Sequence, residues 1–175
     1  ITSDDGREGW GEAVTMWPEA SRATAEIVRA MGELIVGRDP VDSAAIWQEL
    51  RAHAWWYGMG GIASFAVAAI DIAVWDLKGK ALDARVLDLL GGPVHDQMPA
   101  VASSHATHAE IPAMAEQIAG WLETGLRGVK VGFGKRGEAN LGFDHDRDVA
   151  FMKAVREAIG PSHPIMIGLG VRVRW

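Results

Sequence analysis

From Pro99 onward the chain alternates short apolar runs with amphipathic stretches: AVASS, residues 110–124, GVKVGF, residues 147–159, and IMIGL. Parallel strands cannot be joined by a tight turn and need a crossover, usually a helix, so this alternation points to parallel α/β architecture. No other feature of the sequence restricts the fold as much. A glycine, Gly125 or Gly160, follows each helical stretch as a C-terminal stop. The run Ile165, Met166, Ile167, entered through Pro164, reads as a fully buried strand. Three strands cannot close an eight-stranded barrel, which takes about 250 residues. The strands at 129–133 and 165–169 are therefore expected to leave an apolar edge open.

Before Pro99 the pattern is mostly helical. ITSDDGREGWGEA reads as a turn at Asp5-Gly6 and a short strand through Trp10, with Gly9 and Gly11 allowing close backbone packing. Residues 19–36 and 42–54 have helical apolar spacing, separated by GRDP, where Gly37 suits a C-cap and Pro40 a restart. Residues 61–82 form a long helix with Ile62, Phe65, Ala66, Ala69, Ile70, Ala73, Val74 and Leu77 on one broad face. Its many alanines imply neighbours packed closely on several sides. A short helix in ARVLDLLGG ends at Gly91-Gly92.

Composition excludes several classes of partner. The formal charge is -6 with no Lys/Arg cluster, which argues against a nucleic-acid surface. With no cysteine, any metal must be held by oxygen or imidazole, and the chain fits a reducing, cytoplasmic setting. No apolar run approaches the roughly 18 residues of a membrane span, and residue 1 does not open a signal peptide. At 175 residues and 49% hydrophobic content there is room for one ordinary domain or two small ones.

The segments GWGEA, AAIDIAVWDLKGKALDARVLDLLGG, AVASS, GLRGVKVGFG and DVAFMKAVREAIGPSHPIMI, in this order and spacing, resemble the mandelate racemase and muconate lactonizing group of the enolase superfamily. The resemblance implies an α/β protein: an α+β capping domain over 1–98, lacking its first strand, then about three strands of an incomplete, modified TIM barrel over 99–175. It also implies removal of a proton beside a carboxylate, with a Lys or His base and Mg²⁺ stabilising the charge that develops. Family members place the base on the second or sixth barrel strand and carboxylate metal ligands at the ends of the third, fourth and fifth.

The site residues follow from the same resemblance. Lys130 matches the first lysine of a Lys-x-Lys pattern on the second strand and is expected to act as an electrostatic helper, while Gly132 stands where the second lysine, the usual base, would be. The bland alternative for Lys130 is a lysine snorkelling from a strand end. Gly168 occupies the position of the usual Asp ligand, so Mg²⁺ binding by this chain is in doubt. Ser103, Ser104 and His105 end the first barrel strand, and Ser104 and His105 are expected to touch substrate; capping is the alternative. Trp56 and Tyr57, in HAWWYGMGG, are expected to wall the pocket from a lid, with aromatic packing between helices as the alternative.

Other motifs fail or read as structural. Gly132, Gly134 and Gly137 form a GxGxxG, yet EANLGFDHD separates them from the next helix, so no helix N-terminus is ready for a pyrophosphate. Asp144, Asp146 and Asp148 begin like a calcium loop, but its sixth and twelfth positions are Val149 and Val155; the acids are expected to cap the following helix. His108 reads as surface, and Glu12, Asp71 and Asp76 as structural groups.

The missing second lysine and the GFGKRGEANLG insertion look most like members acting on sugar acids. The expected activity of the intact enzyme is Mg²⁺-dependent dehydration of an aldonate or aldarate, a hydro-lyase reaction on a small sugar acid, in a homo-oligomer without nucleic-acid or membrane partners. A racemase or epimerase is the alternative enzyme, and a catalytically dead fragment or paralogue the non-enzymatic one. The chain by itself is expected to be inactive.

Overall fold

The computed structural model describes residues 1–56 and 58–169. The chain divides into two compact units, Ile1–Val94 and a second that starts at His95.

In the first unit, α1 (Pro18–Leu34), a 3-10 turn (Pro40–Asp42), α2 (Ser43–His53), α3 (Ile62–Ala81) and the short α4 (Val86–Leu89) follow one another. Pro18 and Glu19 open α1, where a missing N–H and a negative charge are both favourable. Asp39 restarts the chain by accepting from the Val41 amide at 2.9 Å. The core joins Met31 and Ile35 with Ile46, Leu50 and Ala54, and with Val67, Ile70 and Val74 of α3. Alanines at 63, 66, 69 and 73 are buried as well, which lets neighbouring backbone approach α3 closely. Phe65 departs from the expected face: it is 42% exposed, while Val67 is buried. Helix α3 is so thickly surrounded that its sequence pattern has little amphipathic contrast from which to read a face.

The N-terminal segment does not form the expected strand through Trp10. A single antiparallel bridge joins Thr2 and Glu8, and Trp10 is 70% exposed. Instead, Gly9 and Gly11 press directly on α3. A Cβ on Gly11 would lie 1.9 Å from the Ala69 carbonyl oxygen, and one on Gly9 2.2 Å from that of Ala73. Asp76 ties this segment down, accepting from the Trp10 amide and the Lys80 ammonium, each at 2.8 Å. Asp71, by contrast, makes no such bond among the described residues.

The second unit runs β1 (Ala102–Ser104), α5 (Ile111–Glu123), β2 (Val129–Phe133), α6 (His145–Ile159) and β3 (Ile165–Leu169). The three strands form a parallel sheet in the order β1-β2-β3. Val129, Val131 and Phe133 bury one face of β2 against Met114 and Ile118 of α5 and Phe151 and Val155 of α6. Two expectations need correction. Strand β2 is central and has no open edge, because β1 and β3 flank it. Strand β3 is not fully buried: Met166, Ile167 and Leu169 are 40%, 41% and 60% exposed. Exposed apolar surface lies along β3, beside a groove of about 570 Å³ lined in part by Phe133, Val149, Met152 and Ile167. No helix among the described residues is long and apolar enough to cross a membrane.

Candidate functional site

Side chains alternate across a strand, so with 129, 131 and 133 facing the helices, Lys130 and Gly132 face the other way. The register carries this face across the sheet: Ser103 pairs with Lys130, Lys130 with Met166, and Gly132 with Gly168. Ser104 pairs with Val131 and so shares the row of the helix-facing residues. Gly132 and Gly168 lie one residue from the C-terminal ends of β2 and β3, the end at which α/β folds place ligands.

Two glycines shape the centre of this face. The His105 ring, just past β1, crosses to β2 and places Nδ1 3.0 Å from the Gly132 carbonyl oxygen. A Cβ on Gly132 would fall 2.2 Å from His105 Cε1, so the imidazole fills the space that a side chain at 132 would take. Lys130 extends in the same way over Gly168, its Cε 3.0 Å and its Nζ 3.7 Å from where a Cβ there would stand. His105 and Lys130 thus lie on the same face of the sheet, each over a glycine of the neighbouring strand.

The segment linking β2 to α6 forms one wall of a pocket of about 210 Å³, which His105, Thr107, Lys135, Arg136, Glu138 and Asn140 help to line. The loop is held from below by α6. The buried Asp148 carboxylate accepts the Gly142 amide with both oxygens at 3.0 Å, and Arg147 donates Nε to the Ala139 carbonyl at 3.0 Å and Nη2 to that of Ala109. Gly142 has φ +90, and a Cβ there would meet the Gly134 amide at 2.6 Å, so glycine is required. The Arg136 guanidinium lies over the Phe143 ring, 4.8 Å from its centre.

Asp148 and Arg147 were not legible as loop anchors. Asp144 does cap α6, accepting from the Arg147 amide at 2.8 Å, and α6 begins at His145, two residues before the expected start. Asp146 is exposed, whereas Asp148 is 4% exposed and therefore no simple surface cap. The signal was present: 148, 151, 155 and 159 form one helical stripe, so the stripe that buries Phe151, Val155 and Ile159 also buries Asp148.

Trp56 lies after α2 in the first unit, edge-on to Trp55 with ring centres 5.0 Å apart. The two are 80% and 73% exposed, which excludes packing between helices. Tyr57 lies outside the described residues. His108 is exposed. The GxGxxG glycines lead into the 134–144 loop and not into a helix.

Residues 1–91 match the family described as mandelate racemase / muconate lactonizing enzyme, N-terminal domain. The chain belongs to this family. Its first unit is the family's capping domain, and its three-stranded parallel sheet is consistent with part of the barrel that follows. Across 172 residues it is 31% identical to a D-galactarolactone cycloisomerase of Agrobacterium fabrum, covering 95% of this chain and 42% of that protein. Over 98 residues it is 41% identical to a D-galactonate dehydratase of Variovorax paradoxus, 56% of this chain and 25% of that protein. A mandelate racemase/muconate lactonizing protein from Paracoccus denitrificans PD1222, solved in complex with magnesium, superimposes with a TM-score of 0.74 at 29% identity, covering 97% of this chain and 47% of that one. The chain thus spans less than half the length of these relatives.

The described residues do not fit a magnesium site of their own. No three His, Asp or Glu side chains among them converge on a point. At Gly168 there is no ligand atom, and the nearest side chain is the cationic Lys130.

Proposed function

We propose that this chain carries the capping domain, residues 1–98, and the first barrel units, residues 99–175, of a sugar-acid dehydratase. The observation that carries the reading is that the open face of the sheet carries both Lys130, reaching over Gly168, and the His105 ring, seated against Gly132 near the C-terminal end of β2. An ammonium there matches a substrate carboxylate, and an imidazole matches a proton or a hydroxyl. The relatives named for D-galactonate and D-galactarolactone support a polyhydroxy acid as the substrate class.

In this reading Lys130 binds the carboxylate and offsets charge that develops on it when the adjacent C–H bond breaks. His105 meets a hydroxyl, and Ser103, in register with Lys130, joins it from the same face; Ser104, expected to touch substrate, stands instead in the helix-facing row with Val131 and is given no contact. Dehydration then removes the proton beside the carboxylate and expels the neighbouring hydroxyl as water. Magnesium is the metal of the Paracoccus relative; Gly168 offers it nothing, and the roles given to this chain's residues are carboxylate binding and proton handling.

The cycloisomerase relative favours a second reading, an isomerase acting on the same class of acid. Product analysis separates the two. The full-length protein, incubated with a panel of aldonates and aldarates, is expected to yield a 2-oxo-3-deoxy acid visible by NMR. An epimer or lactone formed without loss of water would establish the isomerase instead. A folded protein that turns over none of the panel would refute both.

A further inference from the structure

We propose that His105 is the proton acceptor on the β2 side of this site, supplied from the neighbouring strand into space that only glycine at position 132 leaves open. The inference rests on the sugar-acid reading and deepens it from substrate contact to proton transfer.

A hydrogen bond to the neighbouring strand fixes the ring. A backbone carbonyl can only accept, so the 3.0 Å contact between His105 Nδ1 and the Gly132 oxygen places a proton on Nδ1. In the neutral ring Nε2 then keeps its lone pair. A carbonyl on the adjacent strand thus selects the tautomer and holds the ring plane, the two conditions a general base requires.

The second observation is steric. All three nearest atoms to a Cβ built on Gly132 belong to the imidazole: Cε1 at 2.2 Å, Nδ1 at 2.6 Å and Nε2 at 2.9 Å. Any side chain at 132 would expel the ring, so the glycine and the histidine form one device. The third is placement. The ring lies on the face of Lys130, whose ammonium would hold the substrate carboxylate, and it lines the pocket formed with Thr107, Lys135, Arg136, Glu138 and Asn140. The carbon beside that carboxylate is the one whose proton has to leave.

The step balances as follows. The Nε2 lone pair forms a bond to the proton, the C–H bond breaks, and its electron pair passes into the carboxylate opposite the Lys130 ammonium. The ring becomes an imidazolium that still donates Nδ1–H to Gly132. It then returns the proton to the departing hydroxyl, which leaves as water as the C–O bond breaks.

The test uses the full-length protein with sugar acids found to bind it, and reads both the ring and the reaction. Nitrogen-15 NMR of the imidazole should show a protonated Nδ1 and a lone pair on Nε2, with the Nε2 resonance moving when a sugar acid is added. Deuterium exchange into the carbon beside the carboxylate should fall at least about a hundredfold in His105→Gln, while the Kd changes by less than about threefold, as expected of a group that acts mainly in the transition state. Gly132→Ala retains the histidine but evicts it, and should lose both the tautomer signature and the exchange. Melting curves separate these effects from unfolding, and Gly120→Ala, in α5 away from the pocket with nothing within 4 Å of its Cβ, serves as the control. Exchange that survives either variant in a folded protein overturns the proposal, as does a proton on Nε2 in the neutral ring. Binding of sugar acids without exchange in the unaltered protein overturns it too. Failure to bind any sugar acid overturns the reading beneath it.

Discussion

Replacing Asp148 by alanine should release the loop that walls the pocket. The Asp148 carboxylate is 4% exposed and accepts the Gly142 amide with both oxygens at 3.0 Å. Its removal strands a buried N–H, at a cost of about 1–3 kcal/mol, and loses a charge-assisted bond whose net worth is about 1.5–3 kcal/mol. These overlap, since they describe the same bond, so the expected loss is about 2–3 kcal/mol. For a unit of this size that corresponds to a fall in Tm of roughly 10–20 °C. Asp148→Asn keeps an acceptor and gives up the charge near the start of α6, worth about 0.3–1 kcal/mol; it should cost about 1 kcal/mol. Urea denaturation measures both, and amide hydrogen exchange should show Gly142 and its neighbours opening in the alanine variant before the sheet does. An alanine variant within about 0.5 kcal/mol of the parent, the range of an ordinary surface change, would refute the assignment of Asp148 as the anchor.

Gly11→Ala should destabilise the first unit by about 3 kcal/mol or more, because its Cβ would stand 1.9 Å from a helix carbonyl that no rotamer change can move; Gly32→Ala, in α1 with nothing within 4 Å, should instead add about 0.5–1 kcal/mol. Thermal melts of the two decide this. Asp76 has its carboxyl held below the usual range, first by the Lys80 hydrogen bond and then by the Trp10 amide. A depressed folded pKa gives stability that is complete above the unfolded value, near 3.8, and is lost as pH falls through the folded one. Asp76→Asn should therefore destabilise at pH 7 and flatten the acid limb of a stability-against-pH curve. Burial pushes Asp71 the other way. Its penalty is absent below the unfolded pKa and grows as pH rises, so Asp71→Asn should stabilise at pH 7 and change little at pH 3. Equal effects of either substitution at both pH values would contradict these signs.

The parallel sheet, its three strands and both crossover helices were legible because strands that alternate with helices leave two distinct periods in the sequence. The N-terminal segment was misread for a physical reason. Glycines at 9 and 11 spoke correctly for close approach, but the partner is a helix backbone and not a strand, and nothing local distinguishes the two. The exposure of β3 depends on what flanks it in space, which its apolar composition does not encode. At the site, Lys130 and the Gly168 position could be placed by motif. The crossing of His105 to Gly132 could not, because it depends on the register between two strands separated by a helix. Ser103 and Ser104 were separable only by that register as well.

The place where a sugar acid binds is open to direct measurement. Backbone and side-chain NMR of the protein titrated with an aldonate or aldarate should place the largest shifts at Ser103, His105, Lys130, Gly132 and Gly168, with Lys130→Met weakening them together. Shifts confined to the helix-facing groove along α6 and β3, or binding indifferent to Lys130, would contradict the claim that the open face at the strand ends is the site.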